Sequence, residues 1–446
     1  MMHHLVFFCA IFSLLPGSVA ELHRRSFGVD RVRNPSFTGR NGPRALIKTC
    51  RKFGMPLPQG LVEAMAAQSK REAVAGAKRE AKRPSRCSGW GEAARRRLPD
   101  LAHTLDGAEL GGPGAGESRD RGNPTDGGYG QSCYDKSANQ AGSVPAVPEK
   151  NDVEFISPVK IGLGVSVAAG HGAYDPAKSA SFRPMNDSRF SIRYGDGSGA
   201  AGIVGTDAVD VGGASFPNQA VELATAVSRQ FMQDQSGDGL LGLAFSHLNT
   251  VRPQKQRTFF DNIKASLAEP VFTADLRKAA AGTYTFGSID RSRFRGPLAW
   301  IPVNTTLGFW QFGSERFAVN RGPVQASTAG NQAVADTGTT LILADAKVVT
   351  AYYALVKGAQ SSPQVGGFTF PCDAKLPDLE LDAGGVYMAK VSGNDMNYAE
   401  VGDGTCFGGV QAAPPGQLSI YGDIFFKSQF VVFNAGNDTL GMAAHA

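Results

Sequence analysis

The residues best suited to chemistry lie in the segment 333–342. An apolar run ends there at Asp336, which is followed by Thr337 and Gly338. The hydroxyl and the closely approaching backbone N–H groups of such a turn can hydrogen-bond a carboxylate without blocking it. The pattern favours an acid or base role for Asp336. The alternative is an ordinary hairpin turn, because Asp-Thr-Gly is short enough to occur by chance.

Two other kinds of catalytic site are not indicated by the sequence. No His and Cys residues cluster with the spacing of metal ligands, and no Gly-x-Ser-x-Gly surrounds a serine nucleophile. We therefore expect carboxylate chemistry that needs no metal and no other cofactor.

Short apolar segments in the same part of the chain would position this turn. Residues 239–245 and 420–426 both read as apolar strands that run into a Gly, and residues 194–199 read as a hairpin tip with a tyrosine at its base. A tripeptide that arose by chance would not be accompanied by these segments, so they make a functional role for the Asp336 turn more credible than the motif alone does.

The wider pattern from residue 146 onward predicts the fold class. Short alternating apolar runs are punctuated there by Gly, Asp and Asn, and helical stretches are few, with 259–267 and 347–357 the best of them. We expect a mostly β body of roughly 300 residues, which is large enough for two lobes.

Together these motifs resemble those of the pepsin-type aspartic endopeptidases, and most closely the secreted fungal, penicillopepsin-like ones. The resemblance extends from about residue 146 to the end of the sequence, and residues 25–67 resemble the start of such a zymogen's prosegment. It implies a bilobal pepsin-like acid protease fold with a peptide-binding cleft between the lobes. It also implies cleavage of polypeptides at acid pH by a carboxylate-activated water.

The resemblance assigns roles to the residues of the Asp336 turn. Asp336 would be the catalytic aspartate of the C-lobe, and Thr337 and Gly338 would support its carboxylate. Thr339 would bond the backbone of the substrate. Each of these roles is an expectation that follows from the matching motif.

The hairpin tip also receives a role from the resemblance. Tyr194, Gly195 and Asp196 would form the flap that closes over the bound peptide. An Asp at the position of Asp196 implies some acceptance of Lys before the scissile bond.

The sequence departs from the family in the first lobe. A second Asp-Thr-Gly should lie between residues 158–162 and 172–176, but the nine residues that join them contain no Asp, and neither Asp-Thr-Gly nor Asp-Ser-Gly recurs in the chain. The strands on either side of that aspartate are missing too. The family mechanism needs two aspartates that share a proton, so a lone Asp336 lacks its partner.

Three interpretations accommodate this departure. The first is a secreted aspartic endopeptidase whose sequence here carries misplaced exon boundaries, with extra residues at about 82–142 and missing residues after 162. The second is a catalytically inactive, peptide-binding homologue. The third is a shared site to which each of two chains contributes Asp336, an arrangement that the remnant of the first lobe would obstruct.

The N-terminal residues 1–20 have the pattern of a removable signal peptide. They carry no Lys, Arg, Asp or Glu, are apolar from residue 5 to residue 12 and end in small residues. The alternative is a membrane anchor, although the run is short and is interrupted by Pro16 and Gly17. No later run is long and apolar enough to span a bilayer, so we expect a soluble, secreted chain with no membrane partner.

Secretion would expose the chain to disulfide formation and glycosylation. Cys372 and Cys406 are the two cysteines of the well-patterned late part and would pair in an oxidising compartment, as the resemblance also implies; the alternative is two buried thiols. Three Asn-x-Ser/Thr triplets, at residues 186–188, 304–306 and 437–439, are compatible with glycosylation, but such triplets are common.

The formal net charge of +5 is unevenly distributed along the chain. Residues 21–145 contain 22 basic and 13 acidic side chains, whereas residues 146–446 contain 23 and 27. The acidic body argues against a nucleic-acid partner. A basic segment ahead of an acidic secreted body is consistent with a prosegment, and equally with a solvated basic tail.

The predicted organisation follows from these observations. We expect a signal peptide at residues 1–20, a basic prosegment at 21–145 with a low-complexity insert at about 82–142, a truncated N-lobe at 146–296 and a C-lobe at 297–446. The insert is rich in Gly and Arg and too poor in apolar residues to bury a core. The expected partners are polypeptide substrates, and the expected state is a monomer.

Overall fold

The computed structural model covers most of the chain from residue 139 onward and part of the region before it. It describes residues 3–6, 13–14, 41–64, 139–148, 155–162, 174–193, 199–228, 231 and 238–446. The predicted signal peptide and low-complexity insert lie mostly outside these ranges, and the predicted flap tip lies wholly outside them. Within the described ranges, no helix has the length and apolar content needed to cross a bilayer.

Helices are few and short, as the sequence pattern predicts. They are α1 (Gly42–Lys52), α2 (Phe259–Ile263), α3 (Ala346–Tyr353) and α4 (Asp423–Phe426), and residues 59–64 are also helical. Asn41 caps α1, because its Oδ1 accepts the N–H of Arg44 at 2.9 Å. The two predicted helices at 259–267 and 347–357 therefore exist, and both end before the predicted residue.

Among the described residues, far more lie in strands than in helices. In the first half of the chain they are β1 (His3–Val6), β2 (Ser13–Leu14), β3 (Gly142–Pro148), β4 (Phe155–Ile161), β5 (Arg183–Arg193), β6 (Gly199–Val211), β7 (Ala214–Val227), β8 (Val271–Arg277) and β9 (Ala280–Phe286). In the second half they are β10 (Ala299–Pro302), β11 (Gln311–Gly313), β12 (Arg316–Val319), β13 (Gln325–Ala326), β14 (Gln332–Ala335), β15 (Ile342–Ala344), β16 (Gln360–Ser362), β17 (Gly367–Pro371), β18 (Leu379–Ala383), β19 (Tyr387–Val391), β20 (Asn397–Gly402), β21 (Thr405–Gly408), β22 (Val410–Ala412), β23 (Ser419–Tyr421), β24 (Gln429–Asn434) and β25 (Thr439–Ala444).

The strands form one large sheet and three smaller ones. The large sheet has the order β10-β25-β24-β8-β9-β3-β4-β6-β7-β2, with β1 paired to β4 and β5 paired to β6. The smaller sheets are β11-β14-β23-β15-β22, β13-β12-β18-β19 and β16-β17-β21-β20, all from the second half of the chain. The mostly β class predicted from the sequence is therefore confirmed.

The two halves of the chain share the large sheet. β8 from the first half pairs antiparallel with β24 from the second, and Phe272 stacks on Phe433 across that junction with the ring centroids 4.3 Å apart. β24 is buried along nearly its whole length, which explains its continuous apolar run rather than an alternating one.

A buried ion-pair cluster fastens the end of the described chain to this sheet. Asp275, on β8, lies 2.6 Å from Arg277 Nε, 3.4 Å from Arg293 Nη1 and 3.0 Å from His445 Nδ1. Burial by itself would raise the pKa of Asp275, but the hydrogen bonds from His445 and Arg277 hold it below its usual value. Through His445 the cluster ties the residue after β25 to β8.

Residues 239–245, predicted to be a strand, do not form one in the structure. Apart from a single bridge at Leu240, the segment is not paired, although Leu241 and Leu243 are buried and the indole N–H of Trp310 donates to the Leu243 carbonyl at 3.0 Å. The matching segment of the second half, 420–426, is a strand only at its start: β23 ends at Tyr421, and Asp423–Phe426 form the helix α4, so the predicted strand is wrong there. β23 itself pairs with β14 and β15.

The disulfide expected between Cys372 and Cys406 is present in the structure, where it closes a loop of 34 residues beside β17 and β21. Replacing both cysteines by Ala should lower the free energy of unfolding by about 3–4 kcal/mol, because the open loop gains entropy when the chain unfolds. Denaturant unfolding without reductant measures the loss, and reduction of the unaltered chain should reproduce it. A loss well below 1 kcal/mol would contradict the expectation.

A buried carboxylic acid lies in the first half, away from the Asp336 turn. Glu222, on β7, is 5% exposed and lines a small pocket with Gln219 and Thr258. Burial raises the pKa of Glu222 to about 7, although Asn249 Nδ2 donates to its Oε1 at 3.0 Å and favours the ionised form. The folded protein therefore holds this proton more tightly than the unfolded chain does.

The raised pKa of Glu222 predicts that its contribution to the free energy of unfolding falls as the pH rises. Because the pKa is raised on folding from an ordinary 4.5 to about 7, the contribution of Glu222 to stability is fully present below pH 4.5 and declines up to about pH 7, by roughly 3 kcal/mol. Glu222→Gln should flatten this part of the profile and stabilise the protein at neutral pH. Urea unfolding across this range measures the effect, with the exposed Glu269→Gln as the control. An unchanged profile in Glu222→Gln would refute the assignment.

Candidate active site

Asp336 follows β14, which lies between β11 and β23 in a sheet built only from the second half of the chain. β14 pairs antiparallel with β11 and parallel with β23. The N–H of Asp336 donates to the carbonyl of Tyr421 at 3.1 Å, so the pairing with β23 continues onto the aspartate itself. Asp336 is 4% exposed. The sheet thus delivers one carboxylate to a fixed, buried position.

The turn after Asp336 supplies donors to both of its carboxylate oxygens. The Gly338 N–H donates to Oδ1 at 3.1 Å, and the Thr339 hydroxyl donates to Oδ2. The Thr339 N–H also closes the turn onto the Asp336 carbonyl at 3.2 Å. Donors of this kind stabilise the ionised carboxylate. Gly338 thus donates to the carboxylate, and so does Thr339, whose bond to a substrate backbone stays a prediction from the motif.

The segment after β23 holds this turn from the other side. The Asp423 N–H donates to the Thr339 carbonyl at 2.7 Å, and the Gly422 N–H donates to the Leu341 carbonyl at 3.2 Å. A Cβ on Gly422 would lie 2.1 Å from the Thr339 carbonyl oxygen, so no other residue fits without displacing the turn. The Gly of this segment therefore permits the close backbone approach that fixes Asp336.

Thr337 connects the turn to the first half of the chain. Its side chain hydrogen-bonds the phenol of Tyr284 on β9, which is 1% exposed. Burial raises the pKa of Tyr284 well above its ordinary value, so the phenol stays neutral beside the carboxylates of Asp336 and Asp423. The sequence pattern indicated the strand that carries Tyr284 but not this contact.

A lysine from the predicted prosegment forms an ion pair with the Asp336 carboxylate. Lys52, the last residue of α1, donates from Nζ to Asp336 Oδ2 at 2.6 Å. Its side chain is 10% exposed and that of Asp336 is 3% exposed, so the ion pair is buried. The sequence analysis missed Lys52. The one available signal was a basic residue at the end of an amphipathic helix inside a segment that resembles a prosegment.

Apolar contacts hold the segment that carries Lys52 against the second half of the chain. Leu46 and Cys50 of α1 are buried, the ring of Phe53 meets the ring of Phe309 edge-on with centroids 5.6 Å apart, and Leu61 packs against Gly366. Burial of this apolar surface stabilises the docked segment independently of the ion pair. Residues 41–64 are therefore docked on the second half of the chain, and Lys52 extends from this segment to Asp336.

The hairpin that should carry the flap is present up to its tip. β5 and β6 pair antiparallel, and the last pair in the register joins Arg193 to Gly199. Tyr194, Gly195 and Asp196 fall between them and lie outside the described residues. Their assignment to a flap stays a prediction from the motif.

The position of a second carboxylate falls on residues 163–173, which also lie outside the described part of the chain. The sequence there contains no Asp. In the ranges that the structure does describe, no three His, Cys, Asp or Glu side chains converge as ligands of a metal would. The described geometry thus presents one hydrogen-bonded carboxylate, suited to acid–base work on a water together with a second carboxylate.

Comparison with known proteins agrees with this geometry. A sequence model of the eukaryotic aspartyl protease family matches residues 157–445. The chain is 45% identical over 329 residues to Penicillopepsin-1 of Penicillium rubens, an alignment that covers 69% of this chain and 82% of that protein. It is 44% identical over 334 residues to Aspergillopepsin-1 of Aspergillus fumigatus, covering 70% and 83%. It is also 44% identical over 338 residues to Aspartic protease PEP3 of Coccidioides posadasii, covering 69% and 76%.

Proposed function

Since the chain belongs to the eukaryotic aspartyl protease family, whose relatives named above are aspartic endopeptidases, we propose that it is made as a secreted zymogen of an acid-acting endopeptidase. Asp336 is its C-lobe catalytic carboxylate, and the segment that contains α1 is its inhibitory prosegment. The substrates are polypeptides, as the family implies.

One observation carries the zymogen proposal. Lys52 Nζ lies 2.6 Å from Asp336 Oδ2 in a buried ion pair, and apolar contacts dock residues 41–64 on the second half of the chain. A water or peptide carbonyl would need the space that this ammonium group occupies. A zymogen is defined by a segment that must leave before the catalytic group can react, and residues 41–64 fit that definition.

The proposed chemistry uses Asp336 as one member of a carboxylate pair. In such a pair the two acids share one proton, so that one removes a proton from the attacking water while the other donates to the peptide carbonyl. Gly338 and Thr339 stabilise the ionised form of Asp336, and Tyr284 keeps Thr337 in place beneath it. Neither the proton removal from the water nor the proton donation to the carbonyl needs a covalent bond between the protein and the peptide.

A second candidate function rests on the shortened first lobe. Because residues 163–173 contain no Asp, the pair is incomplete in this sequence, and a peptide-binding homologue without proteolytic activity is the alternative. Asp336, its turn and the hairpin of β5 and β6 would then bind an extended peptide without cutting it.

The same experiment separates the two functions. The full chain is expressed in a secretory host, collected from the medium, freed of its prosegment and incubated at acid pH with a denatured protein, while binding of a statine-containing peptide is measured in parallel. Cleavage that the statine peptide blocks establishes the endopeptidase. Tight binding without cleavage establishes the homologue, and absence of both contradicts the proposal.

The remaining parts of the proposal concern the organisation of the chain. We propose the boundaries given above, with removal of residues 1–20 on secretion, a prosegment at 21–145, an N-lobe at 146–296 and a C-lobe at 297–446. We also propose a monomer that has no nucleic-acid or membrane partner. Sedimentation of the secreted chain tests the monomer, and the N-terminal sequence of the secreted protein tests the signal peptide.

A further inference from the structure

Three possible acceptor triplets for N-linked glycosylation are present in the chain, and the proposed proteolytic function uses none of them. They are Asn186-Asp187-Ser188, Asn304-Thr305-Thr306 and Asn437-Asp438-Thr439. All three lie in described residues, and the Asn is exposed in each. The sequence alone gives no reason to prefer one, because each satisfies the acceptor pattern.

The third residue of each triplet distinguishes them. The pattern requires both the amide of the Asn and the hydroxyl two residues later, so both groups must be reachable. Ser188 is buried at 7% exposure. Thr439 is half-buried, and its hydroxyl donates to Asn437 Oδ1 at 2.7 Å. Thr306 is exposed, and the triplet at Asn304 is therefore the one that presents both groups to solvent.

The chain around Asn304 forms a tight turn that projects these groups. The Asn304 N–H donates to the Gln311 carbonyl at 2.7 Å and the Gly308 N–H donates to the Thr305 carbonyl at 2.9 Å, so the turn is closed by its own backbone. Asn304 Oδ1 accepts the Thr306 N–H at 3.0 Å in an Asx turn. Because Asn304 Oδ1 is held by the Thr306 N–H, the amide nitrogen Nδ2 of Asn304 is the side-chain group that remains accessible to a reagent in solvent.

We propose that Asn304 carries an N-linked oligosaccharide, and that it is modified in preference to Asn186 and Asn437. The inference rests on the proposed secretion, because the donor, an oligosaccharide on a lipid diphosphate, and its transferase belong to the secretory compartment. In the transfer, Nδ2 forms a bond to the anomeric carbon as the bond from that carbon to the diphosphate oxygen breaks, and the nitrogen loses one proton. The lipid diphosphate leaves with the bonding electron pair.

The order of preference follows from competition between transfer and folding. A triplet remains a substrate only while both of its groups are accessible. Folding buries Ser188 within β5 and engages the Thr439 hydroxyl beside the turn between β24 and β25, whereas it leaves Asn304 and Thr306 exposed. The site at Asn304 therefore stays available longest and suffers no clash once the oligosaccharide is attached.

The test is site-resolved mass spectrometry of the full chain secreted by a eukaryotic host. Treatment with an amidase that releases N-linked oligosaccharides converts each modified Asn to Asp, and the converted fraction gives the occupancy at all three positions. We expect the highest occupancy at Asn304. Higher occupancy at Asn186 or Asn437, or an unmodified Asn304 in secreted chain, would overturn the proposal.

Matched variants separate the acceptor role from a structural one. Asn304→Gln and Thr306→Ala should both abolish the modification at this turn, whereas Thr306→Ser, which keeps the hydroxyl, should retain it. Asn437→Gln should leave it unchanged. Chain that is secreted without residues 1–20 but unmodified at Asn304 refutes this inference alone. Chain that remains inside the cell with Met1 attached refutes the proposed secretion, and the inference with it.

Discussion

Replacing Asp336 by Asn should abolish acid proteolysis by the matured chain, with a loss of at least about 10²–10⁴-fold in kcat/KM. Asn fits the same space: its Oδ1 can accept the Gly338 N–H and its Nδ2 can donate to the Thr339 hydroxyl oxygen, but its amide cannot exchange a proton with a water or a peptide. The effect should therefore fall on catalysis and leave the fold intact. Cleavage of a denatured protein at acid pH measures it.

The control for this variant is Asp403→Asn. Asp403 is exposed and has a φ of 53°, a conformation that Asn tolerates well, so the same chemical change there should leave both activity and stability unchanged. Equal rates of cleavage by the Asp336→Asn variant and the unaltered chain would contradict the assignment of Asp336. A folded Asp336→Asn variant that has lost its activity supports it.

Replacing Lys52 by Met should release the segment 41–64 from the Asp336 turn. Met keeps the length and packing of the side chain but removes the ammonium group, which leaves a buried carboxylate without its cation. Loss of one partner of a buried ion pair costs about 3–5 kcal/mol, equivalent to a change of about two to four orders of magnitude in the docking equilibrium. The affinity of a peptide with the sequence 41–64, added to chain from which the prosegment has been removed, measures this change.

The control for the lysine lies on the same helix. Arg44 carries the same charge but is exposed, so the peptide with Arg44→Met should bind nearly as tightly as the unaltered peptide. Equal affinity of the Lys52→Met and unaltered peptides would show that apolar contacts alone hold the segment in place. That result would remove the basis for calling Lys52 the inhibitory group.

Local patterns predicted the parts of the structure that depend on neighbours in sequence. Asp336 follows a short apolar strand and precedes the Thr and Gly that its turn requires. The strand and the turn can therefore both be recognised from a few consecutive residues. The same holds for the hairpin of β5 and β6, whose alternating burial matches its sequence pattern. The pairing of Cys372 with Cys406 was predictable because both lie in the regularly patterned part of the chain.

Contacts between distant segments were not predictable in this way. Lys52 and Asp336 are 284 positions apart, and the charge of Lys52 is one among many in a basic region. Thr337 and Tyr284 meet because two sheets pack together. No spacing of residues in the sequence indicates that contact. Residues 239–245 were mispredicted because their local pattern suits a strand, whereas a strand also needs pairing partners, which a local pattern does not record.

The division of the sheets determines what a deletion in the first half can damage. The sheet that positions Asp336 contains no strand from before residue 311, and the large sheet reaches the second half through β8 and β9, which come after the shortened stretch. With respect to changes in residues 163–173, the described part of the molecule is therefore modular: the sheet and the turn donors that hold Asp336 come from the second half of the chain. A sequence change confined to that stretch should leave the geometry around Asp336 unaltered.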